Sequence, residues 1–187
     1  MLQVRIHGRG GQGVVTAAEL LSVAAFDEGL HAQAFPTFGS ERMGAPVTSF
    51  CRIDDKPIRS REPIAEPDAL IVQDPTLLHQ VAVFSGLVPD GYVLINTERD
   101  VAALGIGDLN ARVVTVPAAQ IAREHLGRPL PNAVLLGAFA ALTGAVSLDA
   151  LCKAIGEKFS GRLADGNVRG AEAAFQAVQA REEVARA

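Results

Sequence analysis

The chain is poor in the side chains that most often hold metals and clusters. Its 187 residues include two cysteines, four histidines and no tryptophan, and aromatic residues make up 5% of the total. Cys51 and Cys152 lie far apart and form no CxxC pair, so we expect neither an iron–sulfur nor a zinc centre on this chain. The histidines show neither the HxxxH nor the HExxH spacing, and we interpret all four as structural.

The sequence also lacks the signals of a membrane or nucleic-acid partner. The longest apolar run, residues 133–146, is shorter than the ~20 residues that a membrane-spanning helix needs, so it predicts a buried helix. With 17 basic and 21 acidic residues, the formal net charge of −4 gives no support to nucleic-acid binding. Two isolated cysteines without an export signal favour a reducing, cytoplasmic compartment.

Small apolar residues are abundant instead. Apolar residues make up 49% of the chain, and most of them are alanine, valine and leucine. Two interpretations fit this composition: a surface buried against partner subunits, or an alanine-rich helical domain. The length is that of one ordinary domain, so we treat residues 1–187 as a single domain.

The most informative segment is the N-terminus, where a strand pattern runs into a glycine-rich loop and then into a helical pattern. Gly8, Gly10 and Gly13 fit the pattern G-x-G-x-x-G, and Gly11 adds a fourth glycine. A glycine loop between a strand and a helix leaves backbone N–H groups and the helix N-terminus available to bind an anion. Glycine permits the tight turn, the approach of a phosphate and the close packing of helix on strand.

A complete dinucleotide site also needs an acidic residue at the end of the second strand, where it holds the ribose hydroxyls. That strand is predicted at residues 31–35, and it ends without an Asp or Glu. The pattern therefore leaves three alternatives: an anion-binding loop, a tight turn at a strand–helix junction and, with least support, an autonomous NAD or FAD site.

Strand and helix patterns alternate along the rest of the chain. Gly29 is expected to stop the first helix, and Asn132, directly after Pro131, to cap the helix that it begins. The predicted strands are residues 2–7, 31–35, 47–53, 69–73, 91–96 and 111–116, and the predicted helices are residues 14–28, 75–84, 118–126 and a helical C-terminal part from position 132, broken near Gly144 and residues 161–166. We therefore predict an α/β, Rossmann-like fold with a mostly parallel sheet, flanking helices and a helical C-terminal part.

The first strand has an unusual polar side. Apolar residues at positions 2, 4 and 6 alternate with Gln3, Arg5 and His7. A central strand of a doubly wound sheet is normally apolar on both faces. We therefore expect that the polar face is either poorly covered or in contact with a partner.

A second distinctive segment, residues 35–47, combines two aromatics, two prolines, two glycines and the acid–base pair Glu41 and Arg42. By itself it is typical of a turn-rich surface loop. Together with Gly8-Arg-Gly-Gly-Gln-Gly13, however, the segment resembles the gamma subunit of 2-oxoacid:acceptor oxidoreductases. Pro67-Asp-Ala-Leu-Ile-Val72 and Pro131-Asn-Ala-Val-Leu-Leu-Gly137 continue the resemblance, which covers most of the chain.

The resemblance implies a noncatalytic subunit of a larger, cytoplasmic enzyme. The family oxidatively decarboxylates a 2-oxo acid on thiamine diphosphate, passes electrons through iron–sulfur clusters to ferredoxin or another acceptor, and transfers the acyl group to coenzyme A. Residues 107–110 of this chain lack the last glycine of the Gly-Asp-Gly motif that a thiamine diphosphate site needs. Thiamine diphosphate, magnesium and the iron–sulfur clusters are therefore implied to sit on the thiamine-binding and iron–sulfur partner subunits.

The resemblance further implies that this domain packs on the catalytic subunits and helps to form the coenzyme A side of the active site. The candidate contact residues are Gly8, Arg9, Gly10, Gly11, Gln12, Gly13, Glu41 and Arg42. A backbone nest at a helix N-terminus suits the phosphates of coenzyme A, and Arg9, Gln12 and Arg42 can add hydrogen bonds. The same loop suits subunit docking, so a purely structural role stays open, as does a free-standing dinucleotide-binding oxidoreductase.

The segment Glu41-Arg-Met-Gly-Ala-Pro-Val47 resembles the version found in enzymes for pyruvate or branched-chain 2-oxo acids. Met43 stands where the pyruvate type often has a second arginine. This departure leaves room for an aromatic 2-oxo acid such as phenylglyoxylate.

Overall fold

In the computed structural model, which describes residues 1–37 and 43–186, strands and helices alternate much as the sequence predicts. The strands are β1 (Leu2–Arg9), β2 (His31–Pro36), β3 (Pro46–Asp54), β4 (Ala69–Val72), β5 (Gly91–Asn96) and β6 (Ala111–Val116). The α-helices are α1 (Val14–Asp27), α2 (Ala118–Leu126), α3 (Asn132–Thr143), α4 (Leu148–Lys158) and α5 (Gly161–Arg186). Short 3₁₀ helices, Pro75–His79 and Val101–Leu104, lie in the connections that flank β5.

The strands form one sheet in the order β2-β3-β1-β4-β5-β6. β1, β4, β5 and β6 are parallel neighbours, whereas β3 runs antiparallel to both β1 and β2. The predicted α/β, Rossmann-like fold with a mostly parallel sheet is therefore confirmed. β3 is the one strand that runs against the others, and it separates β2 from β1.

The helices cover one face of the sheet and enclose the main core. Val4 and Ile6 of β1 are fully buried there together with the apolar side of α1. α3 is buried on all sides, since every residue from position 132 to 140 is buried. A Cβ atom on Gly137 would lie 2.0 Å from the carbonyl oxygen of Ala171, so α3 and α5 meet backbone to backbone. The prediction of a buried helix within residues 133–146 is confirmed.

The polar side of β1 is covered by the chain itself, and both expectations for that face are wrong. Arg5 is only 8% exposed and His7 only 7%. The Arg5 guanidinium donates hydrogen bonds to the carbonyl oxygens of Val83 (2.8 Å) and Ser85 (2.6 Å), and its Nε donates to Nε2 of His7 (3.0 Å). Because guanidinium carries several donors in a fixed fork, one arginine adds several hydrogen bonds to the apolar contacts by which this irregular segment packs on the sheet.

The segment after β4 departs from prediction. The sequence predicts a helix over residues 75–84, but the chain forms only the 3₁₀ helix Pro75–His79 and then turns. Asp74 caps this short helix by accepting a hydrogen bond from the Thr76 backbone N–H at 3.0 Å. Beyond this helix, the carbonyl oxygens of Val83 and Ser85 accept hydrogen bonds from the buried Arg5 guanidinium instead of from the N–H groups of a helix.

Two further details of the helical part differ from expectation. Asn132 is the first residue of α3, Pro131 holds the cap position, and the Asn132 side chain makes no capping hydrogen bond. The break between α4 and α5 lies at positions 159 and 160, and Gly166 is inside α5. A Cβ atom on Gly166 would lie 2.8 Å from the carbonyl oxygen of His125, so this glycine permits α5 to pack closely on α2.

The predicted helix stops are correct. Gly29 follows α1 with φ +81° and Gly144 follows α3 with φ +65°, the left-handed conformation that glycine adopts at helix C-termini. Within residues 1–37 and 43–186, no helix is both long and apolar enough to cross a membrane.

Candidate functional site

The glycine-rich loop lies where the order of the strands reverses. The chain leaves β1, builds β2 and β3 on one side of it, and then returns to place β4 on the other side. Ligands of open α/β sheets bind in the crevice at such a point, beyond the carboxyl ends of the strands. A cleft of about 240 Å³ is present there, lined by residues 9–11, 13–15 and Val47.

The glycines of the loop have separate steric roles. A Cβ atom on Gly8 would lie 2.6 Å from Cγ2 of Val14, so Gly8 permits close packing of β1 against the start of α1. Gly11 (φ +91°) and Gly13 (φ +70°) adopt left-handed conformations that other residues rarely take. A Cβ atom on Gly13 would also lie 2.4 Å from Nδ2 of Asn132, so α1 and α3 begin in direct contact.

Gly10 ties the loop to the segment that precedes β3. Its N–H donates to the carbonyl oxygen of Ala45 at 2.9 Å, and its carbonyl oxygen accepts from the Gly44 N–H at 3.1 Å. These main-chain hydrogen bonds hold the segment that leads to Val47, and Val47 lines one side of the cleft.

The N–H groups of Gly11, Gly13 and the first turn of α1 are open. The N–H of Gln12 bonds to the carbonyl oxygen of Arg9, and the first intrahelical bond of α1 runs from Ala17 to Gly13. Among the residues that the structure describes, none accepts a hydrogen bond from the N–H groups of Gly11, Gly13 or residues 14–16. Unsatisfied N–H groups at a helix N-terminus carry partial positive charge, so this arrangement suits a phosphate or carboxylate.

The guanidinium of Arg9, in contrast, is hydrogen-bonded within the chain. Its Nε donates to Oδ2 of Asp74 at 3.1 Å, its Nη1 to the carbonyl oxygen of Gly44 at 3.0 Å, and its Nη2 to Oε1 of Gln80 at 2.6 Å. In this conformation the guanidinium is occupied by contacts within the chain. Its role here is to hold the loop to the segment after β4.

The Gln12 side chain is occupied in the same way. Its Oε1 accepts from the backbone N–H of Arg9 at 2.8 Å, and its Nε2 donates to Oδ2 of Asp74 at 3.0 Å. The amide thus closes the loop on itself and fastens it to the neighbouring strand. The open backbone N–H groups are therefore the donors that remain for an anion in the cleft.

Asp74 is the site residue that sequence reasoning missed. Burial raises the pKa of its carboxyl, but hydrogen bonds from Thr76 and Gln12 and the charge of Arg9 outweigh this effect, so the pKa is lowered. The carboxylate is therefore ionised at neutral pH. A signal was present in the sequence, because Asp74 closely follows a parallel strand and β4 is the neighbour of β1.

The topology gives a physical reason against a dinucleotide site. In a dinucleotide-binding fold the second parallel strand lies beside the first and places its acidic residue on the ribose. Here β2 lies at the sheet edge, and the antiparallel β3 occupies the place beside β1.

Two predicted site residues, Glu41 and Arg42, lie outside the described residues. Met43, which follows them, is 89% exposed, and its sulfur would lie 3.0 Å from a Cβ atom on Gly11. Met43 therefore lies at the rim of the glycine loop.

The chain offers no evident place for a metal or cluster in its described part. Residues 1–37 and 43–186 contain no group of three or more His, Cys, Asp or Glu side chains that could hold a metal ion. Burial raises the pKa of the Cys51 thiol to about 12. Burial, with the charges of Glu172 and Asp149, raises the pKa of the Cys152 thiol to about 11. Both thiols are protonated at neutral pH and are poor metal ligands in that form.

A mostly parallel sheet with a glycine-rich strand–helix loop at its switch point defines a Rossmann-like ligand-binding domain. Residues 3–177 match the pyruvate ferredoxin/flavodoxin oxidoreductase family, and the chain belongs to this family.

Named relatives place the chain among the gamma-type subunits. It is 51% identical over 176 residues to pyruvate synthase subunit PorC of Methanothermobacter marburgensis, covering 94% of this chain and 97% of that one. It is 50% identical to the pyruvate/ketoisovalerate oxidoreductases common subunit gamma of Thermococcus kodakarensis, covering 94% and 96%. The crystal structure of the PORC subunit from Thermotoga maritima superposes with a TM-score of 0.84 at 36% identity, covering 94% and 95%. The chain is thus a gamma subunit of a multisubunit 2-oxoacid oxidoreductase.

Proposed function

We propose that this chain forms the coenzyme A side of the active site in a thiamine diphosphate-dependent, CoA-acylating 2-oxoacid:acceptor oxidoreductase. Residues 1–187 act as a single gamma-type domain that packs on the catalytic subunits. The glycine loop, residues 8–13, receives a phosphate of coenzyme A, and Glu41 and Arg42 are the further residues that we propose to contact coenzyme A. The main-chain N–H groups of Gly11 and Gly13 make the contact, while Arg9 and Gln12 hold the loop in shape.

One observation carries this proposal most directly. The open N–H groups of the loop and of the first turn of α1 surround the cleft at the switch point of the sheet. Among the described residues that line this cleft, none has an acidic side chain. Coenzyme A carries a pyrophosphate and a 3′-phosphate, and a helix N-terminus with free N–H groups is a favourable site for phosphate.

The remaining chemistry belongs to partner subunits in this proposal. The described part of the chain has no metal-ligand cluster, and its two thiols are protonated at neutral pH. Thiamine diphosphate with magnesium would be held by a thiamine-binding subunit, and the electrons would leave through an iron–sulfur subunit to ferredoxin or another acceptor. This chain contributes binding and orientation of coenzyme A, and we place the complex in the cytoplasm.

The names of the relatives favour a small 2-oxo acid as the substrate of the complex. They refer to pyruvate in one case and to pyruvate and ketoisovalerate in the other. Pyruvate or a branched-chain 2-oxo acid is therefore our first choice. An aromatic acid such as phenylglyoxylate is the second, because Met43 brings an uncharged side chain to the rim of the loop.

The test is a titration of coenzyme A on the assembled complex carrying Gly11→Ala. A methyl group at Gly11 faces only the end of the exposed Met43 side chain, so the domain has room to fold around it. It nevertheless disturbs a backbone at φ +91° and crowds the open N–H groups. We expect the apparent affinity for coenzyme A to fall about tenfold, a loss of ~1.4 kcal/mol.

Gly29→Ala is the matched control. Gly29 has a similar φ of +81° but lies at the other end of α1, with nothing within 4 Å of the added methyl group. This variant should keep the wild-type affinity for coenzyme A. An assembled Gly11→Ala complex with wild-type coenzyme A dependence would refute the contact and favour a loop that only docks subunits.

A further inference from the structure

The strand at one end of the sheet, β2, has an open outer edge. Within the described part of the chain, β2 pairs with β3 alone. The N–H of Thr37 continues this pairing by donating to the carbonyl oxygen of Thr48 at 2.9 Å. Bonded and non-bonded residues alternate along an antiparallel pair, so the odd-numbered residues of β2 are the ones that bond to β3. The N–H and C=O groups of Ala32 and Ala34 therefore point away from the sheet, and no described residue bonds to them.

This edge lacks the features that normally protect an edge strand. Natural proteins guard such edges with lysines, prolines, bulges or a covering segment. β2 contains no Asp, Glu, Lys or Arg, it pairs with β3 without a bulge, and its one proline is its last residue, Pro36. Its outward main-chain groups are therefore available to an added strand.

The helix above this edge leaves an aromatic side chain in water. One side of α1 packs on β2 and β3, and a second side packs on α4, where Leu20 lies beside Ala154 and Asp27 pairs with Lys153 at 3.0 Å. At ~100° per residue, Phe26 falls on the remaining side of α1. Because α3 and α4 lie toward the centre of the sheet, this third side is above the open edge. Phe26 is 72% exposed there.

A second copy of the chain fits this edge in an antiparallel arrangement. With Gln33 opposite Gln33 of the second copy, Ala32 lies opposite Ala34 and Ala34 opposite Ala32. Both alanine pairs are then of the bonded kind, in which the two residues exchange both N–H···O bonds. His31 lies opposite Phe35 of the second copy, and no like charges meet along the strand.

The register is fixed by the residues that flank the alanines. A shift by two residues in one direction pairs Ala34 with Leu30, whose N–H is already bonded to the carbonyl oxygen of Ala25 at 3.1 Å. A shift by two residues in the other direction pairs Ala32 with Pro36, which has no N–H. Only the register centred on Gln33 satisfies both alanines completely.

The same arrangement covers the exposed aromatic side chain. Paired strands lie ~4.8 Å apart, and α1 lies over β2 and β3. The α1 helices of the two copies would thus run antiparallel ~10 Å apart, which is an ordinary helix-packing distance. Each Phe26 is then withdrawn from water against α1 of the other copy.

We propose that β2 and the adjoining side of α1 form an interface between two copies of this chain, related by a two-fold axis through Gln33. The two sheets join into one continuous sheet. Self-complementary contacts of this type are the commonest in homo-oligomers. The multisubunit enzyme would then contain its gamma subunits in pairs, whether or not the glycine loop receives coenzyme A.

The first experiment introduces Gln33→Cys and oxidises the assembled complex and the purified full chain under mild conditions. In a non-bonded antiparallel pair the two Cα atoms lie ~4.5 Å apart, which is within the range of a disulfide. We expect a covalent dimer of this chain on non-reducing electrophoresis. His31→Cys is the matched control, because residue 31 is more exposed but would lie ~13 Å from its own copy.

The pattern of cross-links decides between the possible occupants of the edge. A covalent dimer from Gln33→Cys but not from His31→Cys supports the two-fold pairing. The unchanged chain reports any background from Cys152, since Cys51 is buried. Equal or stronger cross-linking by His31→Cys, no dimer from Gln33→Cys, or a bond from Gln33→Cys to a different subunit would overturn the proposal.

The second experiment measures the mass of the full chain by sedimentation over a range of concentrations. Ala34→Pro removes an N–H that no described residue accepts from, and proline is tolerated where the N–H of an edge strand faces outward. Phe26→Glu places a charge in the contact while changing an exposed position, so the domain folds around it. We expect a wild-type dimer and association at least about tenfold weaker in both variants.

Val184→Glu is the control for the loss of an exposed apolar side chain. Val184 is 79% exposed and lies near the opposite edge of the sheet, since Glu182 on the same helix pairs with Arg112 of β6. This variant should associate like the wild type. A monomeric wild type, or dimers that Ala34→Pro and Phe26→Glu leave intact, would refute the interface.

Discussion

The side-chain amide of Gln12 donates a hydrogen bond to Oδ2 of Asp74 at 3.0 Å, and this contact joins the loop after β1 to the end of β4. The same carboxylate oxygen accepts from Arg9 at 3.1 Å, while Oδ1 accepts from the N–H and hydroxyl of Thr76. One carboxylate therefore fixes the glycine loop and begins the 3₁₀ helix. Because the side chains of Arg9 and Gln12 are bonded to Asp74, the backbone N–H groups of Gly11 and Gly13 are the donors that remain for a ligand in the cleft.

Replacement of Asp74 with Ala should loosen the loop. The substitution removes the acceptor of four hydrogen bonds. We expect a loss of roughly 2–3 kcal/mol in the free energy of unfolding, measured by urea denaturation of the purified chain. Asp108→Ala is the control at an exposed position, and it should change stability by less than about 0.5 kcal/mol. Equal stability of the two variants would show that the Asp74 contacts do not hold the loop.

The contact between α1 and α3 gives a second prediction. Gly13→Ala should destabilise the chain by roughly 2–4 kcal/mol, because the methyl group meets Asn132 and the backbone is left-handed. Gly29→Ala shares only the backbone strain and should cost about 1 kcal/mol. In a double-mutant cycle, Asn132→Ala should recover part of the loss caused by Gly13→Ala. Additive effects in that cycle would contradict a direct clash between these positions.

His7 should make the stability of the chain depend on pH. Burial, followed by the charge of Arg5, lowers the pKa of His7 to about 4 in the folded chain. In the unfolded chain its pKa is near 6.5, so between these values the unfolded state binds more protons. The neutral, buried His7 therefore contributes its full stabilisation above about pH 6.5. As pH falls toward about 4, this contribution to the free energy of unfolding is lost, by about 3 kcal/mol in all.

The measurement compares the wild type with His7→Gln in urea denaturation from pH 4.5 to 7.5. Glutamine can accept from Arg5 and donate to Thr48, the two neighbours of His7. The difference in stability between the two proteins should change over this range, with the wild type losing more on acidification. A constant difference would mean that His7 titrates normally in the folded chain.

The location of the cofactors gives a further prediction. The purified chain should show no iron–sulfur absorption, no retained thiamine diphosphate and no oxidation of 2-oxo acids by itself. Activity should appear only after reconstitution with thiamine-binding and iron–sulfur subunits. An isolated chain with a cluster absorption band would contradict the assignment of these groups to partners.

The regular elements could be predicted because their signals are local. α2 begins and ends as predicted at Ala118–Leu126, and Gly29 and Gly144 stop their helices, since periodicity and glycine conformation act within a few residues. The glycine loop could be located for the same reason. The order of the strands could not, because nothing local to residues 46–54 says that this strand would enter antiparallel beside β1.

The details of the site could not be predicted because they depend on contacts between distant residues. Arg9 and Gln12 look available for a ligand in the sequence, but Asp74, more than sixty positions away, occupies both. The polar side of β1 was expected to be either poorly covered or in contact with a partner, yet Arg5 bonds to carbonyl groups of residues 83 and 85. Asn132 seemed to be a helix cap, but Pro131 holds the cap position and the Asn132 side chain lies against Gly13.

Hydrogen exchange of the assembled complex tests the central claim most directly. Millisecond exchange would be measured by mass spectrometry on peptides covering residues 9–17 of this chain, with and without saturating coenzyme A. The open N–H groups at positions 11 and 13–16 exchange freely unless a ligand accepts their hydrogen bonds. If coenzyme A binds these N–H groups, exchange in this segment slows with coenzyme A and does not change around Gly29. Unchanged exchange at residues 9–17 in a complex that turns over coenzyme A normally would contradict it.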